Sequence, residues 1–155
     1  MTGVIKNTMN EKTTERLDKI LHAININDFT KYSNDELGEA LPSLSDYLNE
    51  CIAKRNLLIA DVVKRSGLSR DYAYAILNGN RKNPTKDRII ALCLAIGLNL
   101  TETQRALKLC GMVLYSKNKR DAAIIICINT EIYDIAQVND FLISNELDVL
   151  ETSKM

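Results

Sequence analysis

Tryptophan is missing from this chain of 155 residues, which holds only two prolines and one histidine. Scarce proline, together with apolar runs that stay short, leaves helices uninterrupted and favours an all-helical chain. The longest uncharged apolar stretch, "IIALCLAIGLNL" from Ile89, falls short of the roughly 20 residues that a membrane-spanning helix needs. The opening "MTGVIKNTMNEKTTER" has no apolar core followed by a small-residue cleavage site. No secretory signal is read there, and a cytoplasmic protein with no membrane association is expected.

The four cysteines, Cys51, Cys93, Cys110 and Cys127, stand far apart, and no two form a CxxC pair. With His22 as the lone histidine, the sequence offers no cluster of ligands, so neither a metal site nor any other cofactor is expected. Each cysteine lies in an apolar helical context, where a free thiol behaves as a small hydrophobe. No nucleophile accompanies His22 and no glycine-rich phosphate loop is present, so the chain is not read as an enzyme.

What is present is an ordinary globular composition, 46% apolar and 26% charged. The net charge is zero, but it is unevenly spread. Residues 43–100 carry nine basic groups against five acidic ones, a balance of +4. Residues 1–42 and 101–155 each balance at −2, from five against seven and six against eight. A cationic middle between acidic ends is the pattern of local attraction to phosphates.

Periodicity divides the chain into an N-terminal helical arm (1–42), a central domain (43–111) and a C-terminal helical extension (112–155). Residues 1–10 read as frayed. Leu17, Ile20, Leu21 and Ile24 make a helical stripe, followed by a polar connector with short helical turns that closes at Pro42. Ser43 or Ser45 then caps a helix with Leu44, Tyr47, Leu48, Cys51 and Ile52 on one face, ending near Asn56. "IADVVKRS" is a second helix, stopped by Gly67. Ser69 caps a third that runs to about Asn78, and Thr85 caps a fourth from Lys86 to Ile96, stopped by Gly97. A fifth is expected from a cap at Thr101 to Gly111. Beyond the polar linker "YSKNKR", "DAAIIICIN" reads either as a helix capped by Asp121 or as a buried strand. Its isoleucines favour strand, whereas its helical company and the lack of a partner strand favour helix. "IAQVNDFLISNELDVL" closes the chain with Ile135, Val138, Phe141 and Leu142 on one face.

The stretch "GLSRDYAYAILNGNRKNP", from Gly67 to Pro84, holds the informative residues. Two short helices joined through a glycine turn make a helix-turn-helix. "LLIADVVKRSGLSRDYAYAILNGNRKNPTKDRIIALCLAIGLNLTE" resembles the DNA-binding domain of the phage repressor and Cro-type (Xre-like) family. The likeness covers about residues 43–110: an apolar pair, Gly67, Leu68-Ser69, an "NG" and basic loop, Pro84, then "ALCLAIGLNL". It implies an all-α, lambda-repressor-like domain of five helices. There is one departure. Val63 stands where the family usually has a small residue, and Ala73 where it usually has Ile or Val. If these two side chains meet, exchanging large for small on both sides conserves the volume between the helices.

With Leu68, Ala73 and Ile76 facing inward, helical spacing turns Ser69, Arg70, Asp71, Tyr74 and Asn78 outward. The resemblance implies that this helix enters the major groove by its N-terminal residues. Ser69, Arg70, Asp71 and Tyr74 then fall where base edges are read. Arg70 suits guanine O6 and N7, Tyr74 suits a thymine methyl or a phosphate, and Asp71 either accepts from cytosine N4 or orients Arg70. Asn80, Arg81 and Lys82 lie in the loop that the family sets along the phosphates, and Tyr72 is expected to pack inward against the first helix of the domain.

The expected function is therefore a sequence-specific transcriptional regulator that binds double-stranded DNA, as a repressor-type homodimer on a palindromic operator. The C-terminal helices are the candidate dimer contact or the docking site for another protein, because "AAIIICI" is apolar nearly all round. The rival reading is an antitoxin-like protein-interaction module on the same scaffold with little or no DNA affinity. Zero net charge keeps that rival open.

Overall fold

The computed structural model describes residues 14–23, 25–28 and 41–152. The frayed start, Ile24 and most of the polar connector lie outside the described residues. Those residues contain eight α-helices and no strand. Two units divide between Leu41 and Pro42.

In the first unit, α1 spans Thr14–Ala23 and a single 3-10 turn spans Ile26–Asp28. Leu17 and Ile20 are half-buried and Leu21 is exposed, so the stripe read from the sequence is only partly covered.

The second unit holds seven helices: α2 (Leu44–Lys54), α3 (Ile59–Ser66), α4 (Arg70–Leu77), α5 (Lys86–Ile96), α6 (Leu100–Lys108), α7 (Lys119–Asn129) and α8 (Ile135–Ser144). Their starts follow from capping chemistry. The hydroxyls of Ser43, Ser69 and Thr85 each accept a hydrogen bond from the backbone N–H three residues on, replacing a partner that the first helical turn cannot supply. Gly67 ends α3 at φ 74°, a left-handed angle that costs a residue with a Cβ about 1–2 kcal/mol. Three side-chain-bearing residues accept the same region: Asn56, Glu131 and Glu146, just past α2, α7 and α8.

Two helix starts differ from the sequence reading. Asn99, not Thr101, caps α6. It forms a reciprocal box in which Asn99 accepts from Glu102 N–H and the Glu102 carboxylate accepts from Asn99 N–H. The earlier start brings Leu100 into the first turn, where it packs on the core. Asn118, not Asp121, caps α7. Asp121 is buried and its carboxylate is engaged elsewhere, accepting from Lys86 at 2.7 Å and from Tyr115 N–H at 2.9 Å. "DAAIIICIN" lies within α7, so the strand alternative is set aside.

α5 is the axis of this unit. Every residue from Arg88 to Ile96 is buried. α2, α3 and α6 pack against it, α8 contacts it as well, and α7 lies against α6 and α8. One continuous core therefore runs from Leu44 and Leu48 through Ile89, Leu92 and Leu98 to Ile124, Val138, Leu142 and Leu150. The four isoleucines of α7 do not share one fate. Ile124 and Ile128 are buried, Ile125 is half-buried, and Ile126 is 52% exposed.

Polar contacts fix the helices in register. Tyr47 Oη donates to Glu102 O at 3.3 Å and Arg55 pairs with the Glu102 carboxylate at 2.8 Å, tying α2 to α6. Arg120 makes a two-pronged pair with Asp87, at 3.0 and 2.9 Å, and also donates to the carbonyls of Asp148 and Val149. The segment after α8 is thereby held at the start of α5. Its Thr152 side chain lies 3.5 Å from where a Cβ on Gly67 would stand.

Candidate nucleic-acid interface

α3, the turn at Gly67 and α4 form two short helices in contact. Leu68, Ala73, Ile76 and Leu77 are buried, which fixes the roll of α4 about its axis. The opposite face follows from the 3.6-residue period. Arg70, Asp71 and Asn78 are exposed and Tyr74 is half-buried. The Arg70 guanidinium lies 5.5 Å from the Tyr74 ring centroid, one helical turn away. The ring restrains the arginine and leaves its donors near the N-terminus of α4. Ser69 Oγ accepts from Tyr72 N–H at 3.2 Å, so this hydroxyl anchors the helix that presents Arg70.

The connection from α4 to α5 is ordered by its own backbone. Asn78 ends the helix, and its Oδ1 accepts from Asn80 N–H at 2.9 Å. Arg81 N–H donates to Ala75 O at 2.9 Å, folding the loop back on α4. Asn80, Arg81 and Lys82 are exposed and Pro84 is buried, so the basic tip projects from a fixed base. Cys110, in the turn after α6, contacts the same loop. Its thiol lies 3.7 Å from Lys82 O, and it is only half-buried, unlike the other three cysteines. Burial pushes the thiols of Cys51, Cys93 and Cys127 above their ordinary value.

Tyr72 is buried as the sequence suggested, but what meets its ring is a pair of cations. The guanidinium carbon of Arg81 lies 4.6 Å from the ring centroid and that of Arg88 lies 4.2 Å from it. Arg88 had no role in the sequence reading. One signal for it existed: it sits four residues before Leu92 and eight before Ile96, inside an apolar stripe where a charge is out of place.

The structure thus assembles two polar groups of residues: Arg70, Asp71 and Tyr74 on the exposed face of α4, and Asn80, Arg81 and Lys82 on the loop. Ser69 and Asn78 sit at the two ends of α4 with side-chain oxygens engaged in capping and turn formation.

Residues 47–102 match the family model of the Cro/C1-type HTH DNA-binding domain. This stretch, a little over a third of the chain, is a helix-turn-helix domain of that type. It takes in α3, the glycine turn, α4, the basic loop and α5, with most of α2 and the first turn of α6. No curated protein and no solved structure matches the chain. Among the described residues, no helix is long and apolar enough to cross a membrane.

Proposed function

We propose that this protein is a cytoplasmic, sequence-specific transcriptional regulator that binds a palindromic operator as a homodimer, a repressor in kind. The observation that carries the reading is the exposed face of α4, with Arg70 braced on Tyr74 at the helix N-terminus in a Cro/C1-type domain. An α-helix of this length fits the major groove, where its first residues meet base edges. Arg70 donates two parallel hydrogen bonds to guanine O6 and N7. Tyr74 lies against a thymine methyl or a phosphate. Asp71 accepts from cytosine N4 or holds Arg70 in position. Ser69 and Asn78 bound the reading surface at either end of the helix. Asn80, Arg81 and Lys82 contact phosphates, which adds affinity and register but no sequence information.

One such helix reads only a few base pairs, so a second copy is needed for a useful site. Ile126 on α7 and Ile143 on α8 are 52% and 60% exposed, which supports a contact between copies, or with another protein, through these helices. Selection of bound fragments from random duplex DNA, followed by gel shifts at rising salt, tests the DNA reading. An enriched palindrome with affinity falling steeply in salt is expected. No enriched sequence, or binding indifferent to salt, refutes it and favours the protein-interaction module that zero net charge keeps in view. Sedimentation of Ile126→Asp and Ile143→Asp tests the dimer, and both should shift the protein to monomer.

A further inference from the structure

Both ends of the stretch that carries α4 and the basic loop are held by the C-terminal extension. At the far end stands Asp87, in the first turn of α5. Its carboxylate accepts the two prongs of Arg120, at 3.0 and 2.9 Å, and also Glu151 N–H at 2.9 Å. Beside it, Lys86 pairs with Asp121 at 2.7 Å. At the near end stands Gly67, the turn before α4, with Thr152 Oγ1 3.5 Å from where a Cβ would stand. Residues 148–152 run between these two points. Arg120 fixes their backbone by donating to Asp148 O at 2.9 Å and Val149 O at 3.0 Å, and Asn139 Oδ1 accepts from Leu150 N–H at 2.9 Å. Arg120 therefore joins three segments: the start of α7, the start of α5 and the chain after α8. A guanidinium has five N–H donors, and four hydrogen bonds are made here. The planar fork makes the junction stiff in a way that a lysine cannot reproduce.

We infer that Arg120 is a positioning residue for the reading helix: through Asp87 and residues 148–152 it sets where residues 67–87, and Arg70 with them, stand on the rest of the unit. The inference rests on the proposed DNA binding and extends it to a side chain outside the matched residues 47–102. α4 has only eight residues. Burial of Leu68, Ala73, Ile76 and Leu77 fixes its roll, whereas its tilt depends on the turn before it and the loop after it. One guanidinium holds the far sides of both. Hydrogen bonds to a base edge weaken steeply with misalignment, so loosening Arg120 blunts the reading by Arg70 although Arg120 touches no base.

The test uses the full chain, the duplex enriched by selection, and the variants Arg120→Met and Arg120→Lys. The Lys86–Asp121 pair and the buried Leu150 still hold the extension in both, and circular dichroism checks that they fold. Arg120→Met should weaken binding to the enriched duplex about tenfold. It should leave random duplex and the salt slope unchanged, because no phosphate contact is removed. Arg120→Lys should keep most of that loss, since one ammonium cannot serve Asp87 and both carbonyls. Arg70→Ala should then cost less in the Arg120→Met background than in wild type. Among the described residues the two arginines share no partner, so this coupling passes through the placement of α4. Amide exchange gives a readout free of DNA. The N–H groups of Tyr72 and Arg81, bonded to Ser69 Oγ and Ala75 O, should exchange faster in Arg120→Met while those of α2 keep their rates. Additive losses from the two arginines, or unchanged exchange at Tyr72 and Arg81, overturn the positioning role and leave the DNA reading standing. A salt slope lowered by about 0.9 also overturns it, by making Arg120 a phosphate contact. If wild type prefers no sequence, the DNA reading fails and exchange alone decides: faster rates at Tyr72 and Arg81 support the hold on α4, and equal rates overturn it. Should Arg120→Met fail to fold, Arg120→Lys carries the same readouts.

Discussion

Leu142 tests whether the C-terminal helices and the helix-turn-helix are one cooperative body. It lies on α8, is fully buried, and belongs to the same core as Ile89 and Leu92 of α5. Leu142→Ala removes buried methyl groups and leaves a cavity, at a cost of about 2–5 kcal/mol. Domains of this size are stable by only about 5–15 kcal/mol, so a large share of the margin is lost. Taking about 3 kcal/mol, and about 4 °C per kcal/mol for some 110 residues, the melting midpoint should fall by roughly 12 °C. The number matters less than where the loss is felt. If α7 and α8 share a core with α5, amides of α3 and α4 should lose the same protection as those of α8, because they exchange through one global opening. Urea melts followed by far-UV circular dichroism, paired with hydrogen exchange, measure both. Two separate transitions, with α3 and α4 unmoved by the substitution, would refute the single core and make the C-terminal helices an autonomous module.

Arg70→Ala should cost about 1–3 kcal/mol of binding and relax the preference at one base position, as read by fragment selection. Lys82→Ala should instead weaken all sequences alike and lower the salt slope by about one, and a changed preference would contradict its assignment to phosphate. Ala73→Ile should overfill the crossing of α3 and α4 by about 1–3 kcal/mol and Val63→Ala should cost less, while the double variant should lose less than the sum in denaturant melts. Strict additivity would mean that these two buried residues do not touch. The thiols of Cys51, Cys93 and Cys127 are pushed up by burial from an ordinary value of 9.0. Their contribution to stability is therefore complete below that value and is lost as pH rises above it, where the unfolded chain ionises first. The slope is about 1.4 kcal/mol per pH unit for each thiol, so urea midpoints should fall between pH 8 and 10, and a flat profile would refute the assignment.

The parts of the fold legible in the sequence are those set by local chemistry. "IADVVKRS" coincides with α3, and Thr85 and Gly97 bound α5 as read, because a hydroxyl before the first turn and a glycine after the last act within a few residues of themselves. Local sequence does not fix the starts of α6 and α7, because two capping residues compete in each place. Asn99-x-x-Glu102 and Thr101-x-x-Gln104 are both plausible boxes, and the packing of the half-buried Leu100 against the core goes with the first. At α7, Asp121 looked like a cap, but a carboxylate that Lys86 and Tyr115 N–H already occupy across 35 and 6 residues of sequence is not free to serve as one.

The candidate interface divides along the same line. That Arg70 and Asp71 face outward follows from burying Leu68, Ala73 and Ile76, and periodicity alone delivers it. The company kept by Tyr72 does not follow, because Arg81 reaches its ring from a folded-back loop and Arg88 from another helix. α5 accounts for packing that the local sequence does not show. Its run "IIALCLAI" has no polar side, which a helix at the edge of a domain would need. A helix apolar all round has to be covered all round, and α2, α3, α6 and α8 all pack against α5. The same burial sets the position of Arg88. It is held in the first turn of a helix that is buried from Arg88 to Ile96, and its guanidinium carbon lies 4.2 Å from the Tyr72 ring centroid. The apolar run that packs against the C-terminal helix α8 therefore also sets a buried cation against Tyr72 of α4.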